Sequence, residues 1–273
     1  MHLVAPPPIV PVAPPSVPRF FGFGYAGSCQ SAMEVGGDFF EVCPLSESSL
    51  LLAVADVMGK GSGAALFAGT LRTVLQALIV PNLCPARTLR ELNAVMFEQL
   101  SGADMFITLQ LAVADLHRRE LHVVNAGHCP LLISSPNQPT LAVAPEGIPL
   151  GICPDAEFAS QTAQIDSFSS VLMYTDGVTE ARDSAGSLFG QPRLEQWFGR
   201  ALAQDSTAAA LKRSLLQELF RFQGRQQASD DQTFLILSDE TPRLPQSEPP
   251  DISHWFLPWT YARRGARPAH SCS

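Results

Sequence analysis

Four aspartates occupy comparable places in the chain: Asp38 in VGGDFF, Asp56 in AVADVMGKG, Asp176 in VLMYTDGVTEA and Asp230 in ASDDQTFLIL. Each stands at or beside the end of an apolar run. One Asp next to a glycine is ordinary turn chemistry. Four carboxylates that converge from separate strands are another matter, because they repel one another and lose hydration. A fold retains such a group when a hard divalent cation, which prefers oxygen donors, neutralises it.

The stretch from Asp56 to Leu66, DVMGKGSGAAL, adds a second chemistry. It lies between SLLLAVA, which reads as a buried strand, and a run that reads as a helix. Glycines at such a junction free backbone N–H groups, and the helix dipole favours an anion there. Neither familiar phosphate loop fits. A Walker A loop places Ser or Thr after its lysine, and here Gly61 follows Lys60. The dinucleotide pattern G-x-G-x-x-[GA] is met by Gly59, Gly61 and Ala64, but no acidic residue follows near position 80 to hold a ribose. Asp56 itself would repel a phosphate unless a cation sat between them.

A thiol route is also visible. Cys84 to Arg90, CPARTLR, has the C-x5-R spacing of a cysteine phosphatase loop, with the thiol at a helix N-terminus. Pro85 removes an N–H that such a loop needs, and no glycine lets the backbone curl around an anion. Cys84 therefore reads as a helix N-cap substitute. The six cysteines include no CxxC pair. They read as buried, reduced thiols of a cytoplasmic protein.

The elements that must carry these residues follow from periodicity. Phe20–Gly27, Glu34–Cys43 and Ser49–Ala55 read as successive strands. Ala64, Phe67, Ala68, Leu71, Val74, Leu75 and Leu78 recur at helical spacing, with Gly69, Arg72, Thr73 and Gln76 on the opposite stripe, and that helix stops at Pro81. Pro85 opens a second helix carrying Leu89, Leu92, Met96 and Leu100 on one face. Met105–Leu116 and Leu121–Gly127 flank the turn HRRE as a hairpin. Short strands are expected at 130–134, 140–144, 157–165 and 170–174, helices at 193–203 and 207–222, and a last strand at 232–238. Many antiparallel strands with grouped helices indicate an α+β fold.

Bulk properties narrow the function. The chain has 273 residues, 46% apolar and 16% charged, which supports a sizeable core. A net charge of -8 argues against nucleic-acid binding through a basic surface. No apolar stretch reaches the roughly 18 residues of a membrane span. Residues 1–19 are proline-rich and read as a disordered lead-in. Residues 241–273 read as a disordered tail, with Trp255, Phe256 and Trp259 as a candidate docking peptide.

The motifs VGGDFFEV, ADVMGKGSGAAL, ITLQLAVAD, VNAGHCPLLI, PLGI, MYTDGVTEARD, LFG and DDQTFLIL, in this order, resemble the PPM family of metal-dependent protein Ser/Thr phosphatases, in its bacterial SpoIIE/RsbU-type branch. The resemblance runs from about Ala26 to Leu237, within an expected domain over residues 20–240. It implies an antiparallel β-sandwich flanked by helices, with two Mn2+ or Mg2+ ions at one edge. Carried over motif by motif, Asp56 bridges both ions and the Val57 carbonyl binds one. Asp176 and Asp230 bind the other, and Asp38 holds a metal directly or through water. A water between the ions then supplies the hydroxide that attacks phosphorus in line.

Two departures from the family pattern matter. Met58 stands where eukaryotic relatives have a His proposed as general acid, and Met33 stands where they grip phosphate with an arginine. Lys60, beside Gly59, is the nearest candidate cation for substrate, or else a solvated loop residue. Glu180 either orients waters around the metals or is a solvated residue after the turn. Asp231 reads as an outer-shell partner of the metals, and His128 as a structural residue ordering a tight turn at Gly127.

The resemblance implies hydrolysis of phosphoserine or phosphothreonine on a regulatory protein, an anti-sigma factor antagonist in a partner-switching circuit. The rival is a degenerate PPM-like domain that binds a phosphoprotein without turnover. The branch often carries an N-terminal sensor, which the proline-rich lead-in does not resemble. A signal is therefore expected from an activator protein or from homodimerisation through helices 64–79 and 86–100.

Overall fold

The run SLLLAVADV is apolar at nearly every position because both of its faces are covered. In a computed structural model, which describes residues 21–226 and 228–241, it forms strand β3 (Ser49–Val57). Leu51, Ala53, Ala55 and Val57 face a helical layer, and Leu50, Leu52 and Val54 face a second sheet. This is the period-two alternation of a strand buried on two sides. The expected lead-in over 1–19, the residues beyond Thr241 with Trp255, Phe256 and Trp259, and Cys272 lie outside the described residues.

Strand β3 pairs antiparallel with β2 (Phe39–Ser46) and β4 (Ile107–Asp115). Beyond β4 come β5 (Glu120–Ala126) and β8 (Ser160–Gln164), giving the order β2-β3-β4-β5-β8. The turn between β4 and β5 ends in Arg119 at φ 59. The second sheet contains β1 (Phe23–Gln30), β6 (Leu131–Ser134), β7 (Leu141–Val143), β9 (Ser170–Tyr174) and β10 (Gln232–Asp239), in the order β1-β10-β9-β6-β7. All the pairings are antiparallel.

Helices α1 (Ser62–Leu78) and α2 (Pro85–Gly102) cover the outer face of the first sheet through Ala64, Leu71, Leu75, Leu89, Leu92 and Met96. Helices α4 (Gln191–Gln204) and α5 (Ala208–Gln223) cover the second through Leu194, Phe198, Leu211 and Leu215. The result is the α+β sandwich flanked by helices that the sequence indicates. Among the described residues, no helix is long and apolar enough to cross a membrane.

Several local expectations are corrected. Residues 34–38 are loop, and β2 begins only at Phe39. A four-residue helix, α3 (Asp176–Thr179), follows β9 and was not anticipated. Cys84 does occupy the N-cap position of α2, but its side chain makes no capping bond. The thiol is exposed, while Cys29, Cys43, Cys129 and Cys153 are only partly buried, and all five are free. Conformational constraint at Pro85, which takes the first helical position, starts α2 without help from the thiol.

The end of the sandwich at Asp239 is closed by a saturated carboxylate. Asp239 accepts from Arg119 Nη2 at 2.6 Å, Phe168 N at 2.7 Å, and Thr241 Oγ1 and N at 2.6 and 3.0 Å. Burial would raise its pKa, but these donors outweigh burial and the pKa is lowered. Arg119 also lies over the Phe23 ring, with its guanidinium carbon 5.1 Å from the centroid.

Gly147 and Gly69 separate close packing from open surface. A Cβ at Gly147 would lie 1.8 Å from the Asn125 carbonyl oxygen, whereas one at Gly69 would meet nothing within 4 Å. Gly147→Ala should cost roughly 1–3 kcal/mol, because the clash is with backbone. Gly69→Ala, on an exposed helical turn, should stabilise by about 0.5–1 kcal/mol. Thermal melts of the two variants should move in opposite directions, and equal shifts would show that the Gly147 contact imposes no constraint.

Candidate active site

Along β3 the side chains of Leu50, Leu52 and Val54 face the inter-sheet core, and Asp56 continues that row at the strand's end. Opposite it in register stands Thr108 of β4. Buried Gln110 and Asn125 lie on the neighbouring strands. One end of the sandwich interior is therefore polar where the middle is apolar.

The second sheet brings its own carboxylates to this end. Asp176 is the first residue of α3, directly after β9, and Asp230 immediately precedes Asp231 and β10. The two segments approach closely because residue 177 is glycine. A Cβ there would lie 1.9 Å from the Asp231 carbonyl oxygen and 3.3 Å from the Asp230 Cβ.

A side-chain bond joins the sheets here: Thr175 Oγ1 donates to Asp38 Oδ2 at 2.7 Å, while the Thr175 backbone N–H stays within the second sheet, donating to the Thr233 carbonyl at 2.9 Å. Asp231 accepts from the Ala32 and Gly37 backbone N–H groups, each at 2.8 Å. Asp231 thus anchors the 31–37 loop that delivers Asp38. The sequence makes Asp231 an outer-shell partner of the metals; in the structure its carboxylate holds the backbone of the loop that links β1 to β2.

The electrostatics reflect crowding of like charges. Burial first, then Asp56, pushes Asp38 up to about 9. Burial, then Asp176 and Asp230, pushes Asp56 up to about 6, opposed by a hydrogen bond with Asp38. Asp176 is raised by burial, then by Glu180 and Asp230, with Lys60 opposing. Lys60 Nζ lies 3.1 Å from Asp230 Oδ2 and donates to the Ser229 carbonyl. Cys129 feels the same carboxylates, and burial followed by Asp176 takes its thiol to about 12, so no thiolate forms there near neutral pH.

The structure thus gathers Asp38, Asp56, Asp176 and Asp230, with Glu180 and Lys60 at their margin. The Val57 carbonyl faces Gly37, where a Cβ would be 2.9 Å from its oxygen. Gly59, at φ 92, turns the chain after Met58, and a Cβ there would lie 4.0 Å from the end of the Met105 side chain. The donor set is entirely oxygen, which suits a hard divalent cation rather than a soft one. The raised carboxyls are the expected state of such a set without countercharge. Among the described residues, no three His, Cys, Asp or Glu side chains close into a complete ligand cluster.

His128 is buried in the turn after β5. Its backbone N–H donates to Asn125 Oδ1 at 2.6 Å, and Asn125 Nδ2 donates to its carbonyl at 2.9 Å. Its Nδ1 pairs with Thr108 Oγ1 at 2.7 Å. Burial lowers the ring to about 4, opposed by the Tyr174 backbone, so it is neutral at physiological pH. Thr175, Thr108 and Asn125 escaped the sequence reading, although the Thr preceding Asp176-Gly177 was in view. Asn93 was also missed: buried on α2, it accepts from Gly151 N and donates to the Cys153 and Pro154 carbonyls, fixing the loop after PLGI.

Comparison with known proteins gives a consistent picture. Phosphoserine phosphatase RsbU of Bacillus subtilis is 28% identical over 207 residues, covering 76% of this chain and 60% of the relative. RsbP of the same organism, also described as a phosphoserine phosphatase, is 27% identical over 210 residues, covering 76% of this chain and 50% of the relative. The chain thus spans only about half to three-fifths of these relatives. Among solved structures, the RsbU and RsbW domains of Rv1364c from Mycobacterium tuberculosis superpose with a TM-score of 0.67 at 26% identity, covering 84% of this chain and 62% of that one. The SiaA-PP2C domain of Pseudomonas aeruginosa shares the fold with a TM-score of 0.67 at 22% identity, covering 78% of this chain and 85% of that one. Residues 46–238 match the family described as Stage II sporulation protein E (SpoIIE), and the chain belongs to that family.

Proposed function

We propose that this chain is a metal-dependent protein serine/threonine phosphatase. The observation that carries the reading is the convergence of four carboxylates from both sheets at one end of the sandwich, with Asp38 raised by burial and Asp56, and Asp56 raised by burial, Asp176 and Asp230. In this proposal Asp56 and the Val57 carbonyl hold cations from the first sheet, and Asp176 and Asp230 hold them from the second. Two Mn2+ or Mg2+ ions, when bound, would polarise a phosphoryl group and acidify a water molecule. Thr175 orients the Asp38 carboxyl toward that site, and Asp231 fixes the loop that carries it. His128 keeps Thr108 in place beside Asp56, and Glu180 adds negative charge beside Asp176.

The substrate we propose is phosphoserine or phosphothreonine on a regulatory protein, an anti-sigma factor antagonist in a partner-switching circuit. RsbU and RsbP, both described as phosphoserine phosphatases, support the phosphoserine part of this reading. The acidic chain is ill suited to nucleic acid. A cytoplasmic location accords with the five free thiols.

An activator or a second copy would act through α1 and α2, where Gly69 and Thr73 are exposed. The rest of that stripe is already engaged. Arg72 Nε and Gln76 Nε2 donate to Glu41 Oε2 at 2.5 and 3.3 Å, tying α1 to β2.

Hydrolysis of p-nitrophenyl phosphate should require Mn2+ or Mg2+, stop in EDTA and survive Cys84→Ser. Activity that persists in EDTA but disappears in Cys84→Ser would reverse the assignment. Metal binding without turnover of any phosphoserine peptide would return the chain to the non-catalytic reading.

The adjacent pair Asp230 and Asp231 should separate by what fails. Asp230→Asn should abolish metal-dependent turnover with little change in melting temperature. Asp231→Asn leaves one of two buried backbone N–H groups without an acceptor, at roughly 1–3 kcal/mol. It should lower the melting temperature and reduce turnover by roughly 10- to 100-fold. The opposite assignment of the two phenotypes would place the ligand at Asp231.

In EDTA, stability should fall as pH rises. A carboxyl with a raised folded pKa contributes stability below its unfolded value near 3.8, and loses it as pH passes about 6 for Asp56 and about 9 for Asp38. Asp38→Asn should therefore raise the metal-free melting temperature at pH 8 by a few degrees, while removing turnover. Melts between pH 5 and 9 test this, and a pH-independent melting temperature for the unsubstituted protein would refute it.

A further inference from the structure

Lys60 is the cation placed against the carboxylates. Its Nζ is 3.1 Å from Asp230 Oδ2, and it also donates to the Ser229 carbonyl. Among the described residues, no other Lys or Arg forms an ion pair with any of the four aspartates. The pair sits at the mouth of the site: the side chains of Lys60 and Asp230 are 41% and 40% exposed. The ammonium can therefore leave without stranding an unpaired charge in the interior.

The loop also has room for movement. Lys60 lies between Gly59 at φ 92 and Gly61 at φ 77. A Cβ at Gly61 or Gly63 would meet nothing within 4 Å. Charge balance supplies the reason to move. Four ionised carboxylates just offset two divalent cations, so a phosphate dianion arriving there would find little net attraction. A further positive charge is needed close by, and the chain has Met33 where an arginine could have served.

We infer that Lys60 is an exchangeable counter-ion, pairing with Asp230 in the metal-free protein and turning to the substrate phosphate once cations take Asp230. This inference rests on the metal-dependent phosphatase reading and adds to it a residue that both competes with the metal and binds the phosphoryl group. The two roles are linked, since each ligand of the site changes which partner the ammonium has. Lysine suits this task better than arginine, because its point charge on a flexible stem does not lock into a bidentate pair with one carboxylate.

The experiment compares the unsubstituted protein with Lys60→Gln and Lys60→Arg, after checking that all three melt alike. Mn2+ binding is measured by isothermal titration calorimetry without substrate. Inhibition by inorganic phosphate and the KM of a phosphoserine peptide are measured with Mn2+ at saturation. In Lys60→Gln, Mn2+ binding should tighten by roughly two- to fivefold, the range of an exposed ion pair. The phosphate inhibition constant and the KM should each rise about tenfold, with a smaller change in kcat. Lys60→Arg should restore phosphate affinity.

Unchanged or weaker Mn2+ binding in Lys60→Gln would overturn the competition with metal. Unchanged phosphate inhibition would overturn the contact with substrate. A wild-type protein that neither binds Mn2+ nor turns over the peptide would instead overturn the phosphatase reading, and this inference with it.

Discussion

Carboxylates withdrawn from water and placed near one another raise each other's energy, and the polar end of this sandwich is organised around that cost. Asp38 and Asp56 come from the first sheet, Asp176 and Asp230 from the second. The packing must hold them together against their repulsion. Apart from Lys60, which pairs with Asp230 at the mouth of the site, it does so with bonds that carry no positive charge. Thr175 gives a hydroxyl to Asp38, and Asp231 grips two backbone N–H groups of the loop ahead of it. Gly177 lets the two second-sheet segments come within backbone contact. These contacts fix geometry and leave the net charge of the cluster for something else to neutralise.

The opposite end shows what a purely structural aspartate looks like in the same fold. Asp239 is 1% exposed and Asp38 is 8% exposed, yet their pKa values move in opposite directions. Asp239 has a guanidinium, two backbone N–H groups and a hydroxyl around it. Asp38 has a hydroxyl and another carboxylate. Both are screened from solvent, but Asp38 is the more deeply surrounded and Asp239 is the better supplied with donors, and the two effects act in the same direction. A fold able to satisfy one buried carboxylate so fully has left the other short of positive charge at the place where four such groups meet. Carboxylates left short of positive charge in this way accord with the proposed metal site rather than with a purely stabilising role.

The helical layer bears on the same site through the chain. Helix α1 begins six residues after Asp56, and its Ala64 packs close to Gly37 and Val57. On its exposed side Glu41 ties it to β2, the strand that follows Asp38. Any shift of α1 is therefore felt by backbone adjoining two of the four carboxylates. Asn93 on α2 similarly binds the loop at Gly151, which bridges to Ile107 next to Val57. The helices are thus part of the frame that sets the spacing of the acidic residues, and a partner that displaced them would reach the site without touching it.

Periodicity in the sequence was sufficient for the layers: two-sided apolar strands such as SLLLAVA and one-sided helices such as 64–78 can be satisfied only by sheets covered on both faces. Asp38, Asp56, Asp176 and Asp230 were also legible, because acidic residues at the ends of apolar strands stand out against the core. What the sequence could not determine was which neighbours those residues have. Asp230 and Asp231 are adjacent and chemically identical, yet one faces Lys60 and the other crosses to the 31–37 loop. Thr175 became significant only when it met Asp38, 137 positions away. Local pattern decides which face of an element is buried. Long-range hydrogen bonds are decided only when the sheets close on one another, because their partners share no local signal in the chain.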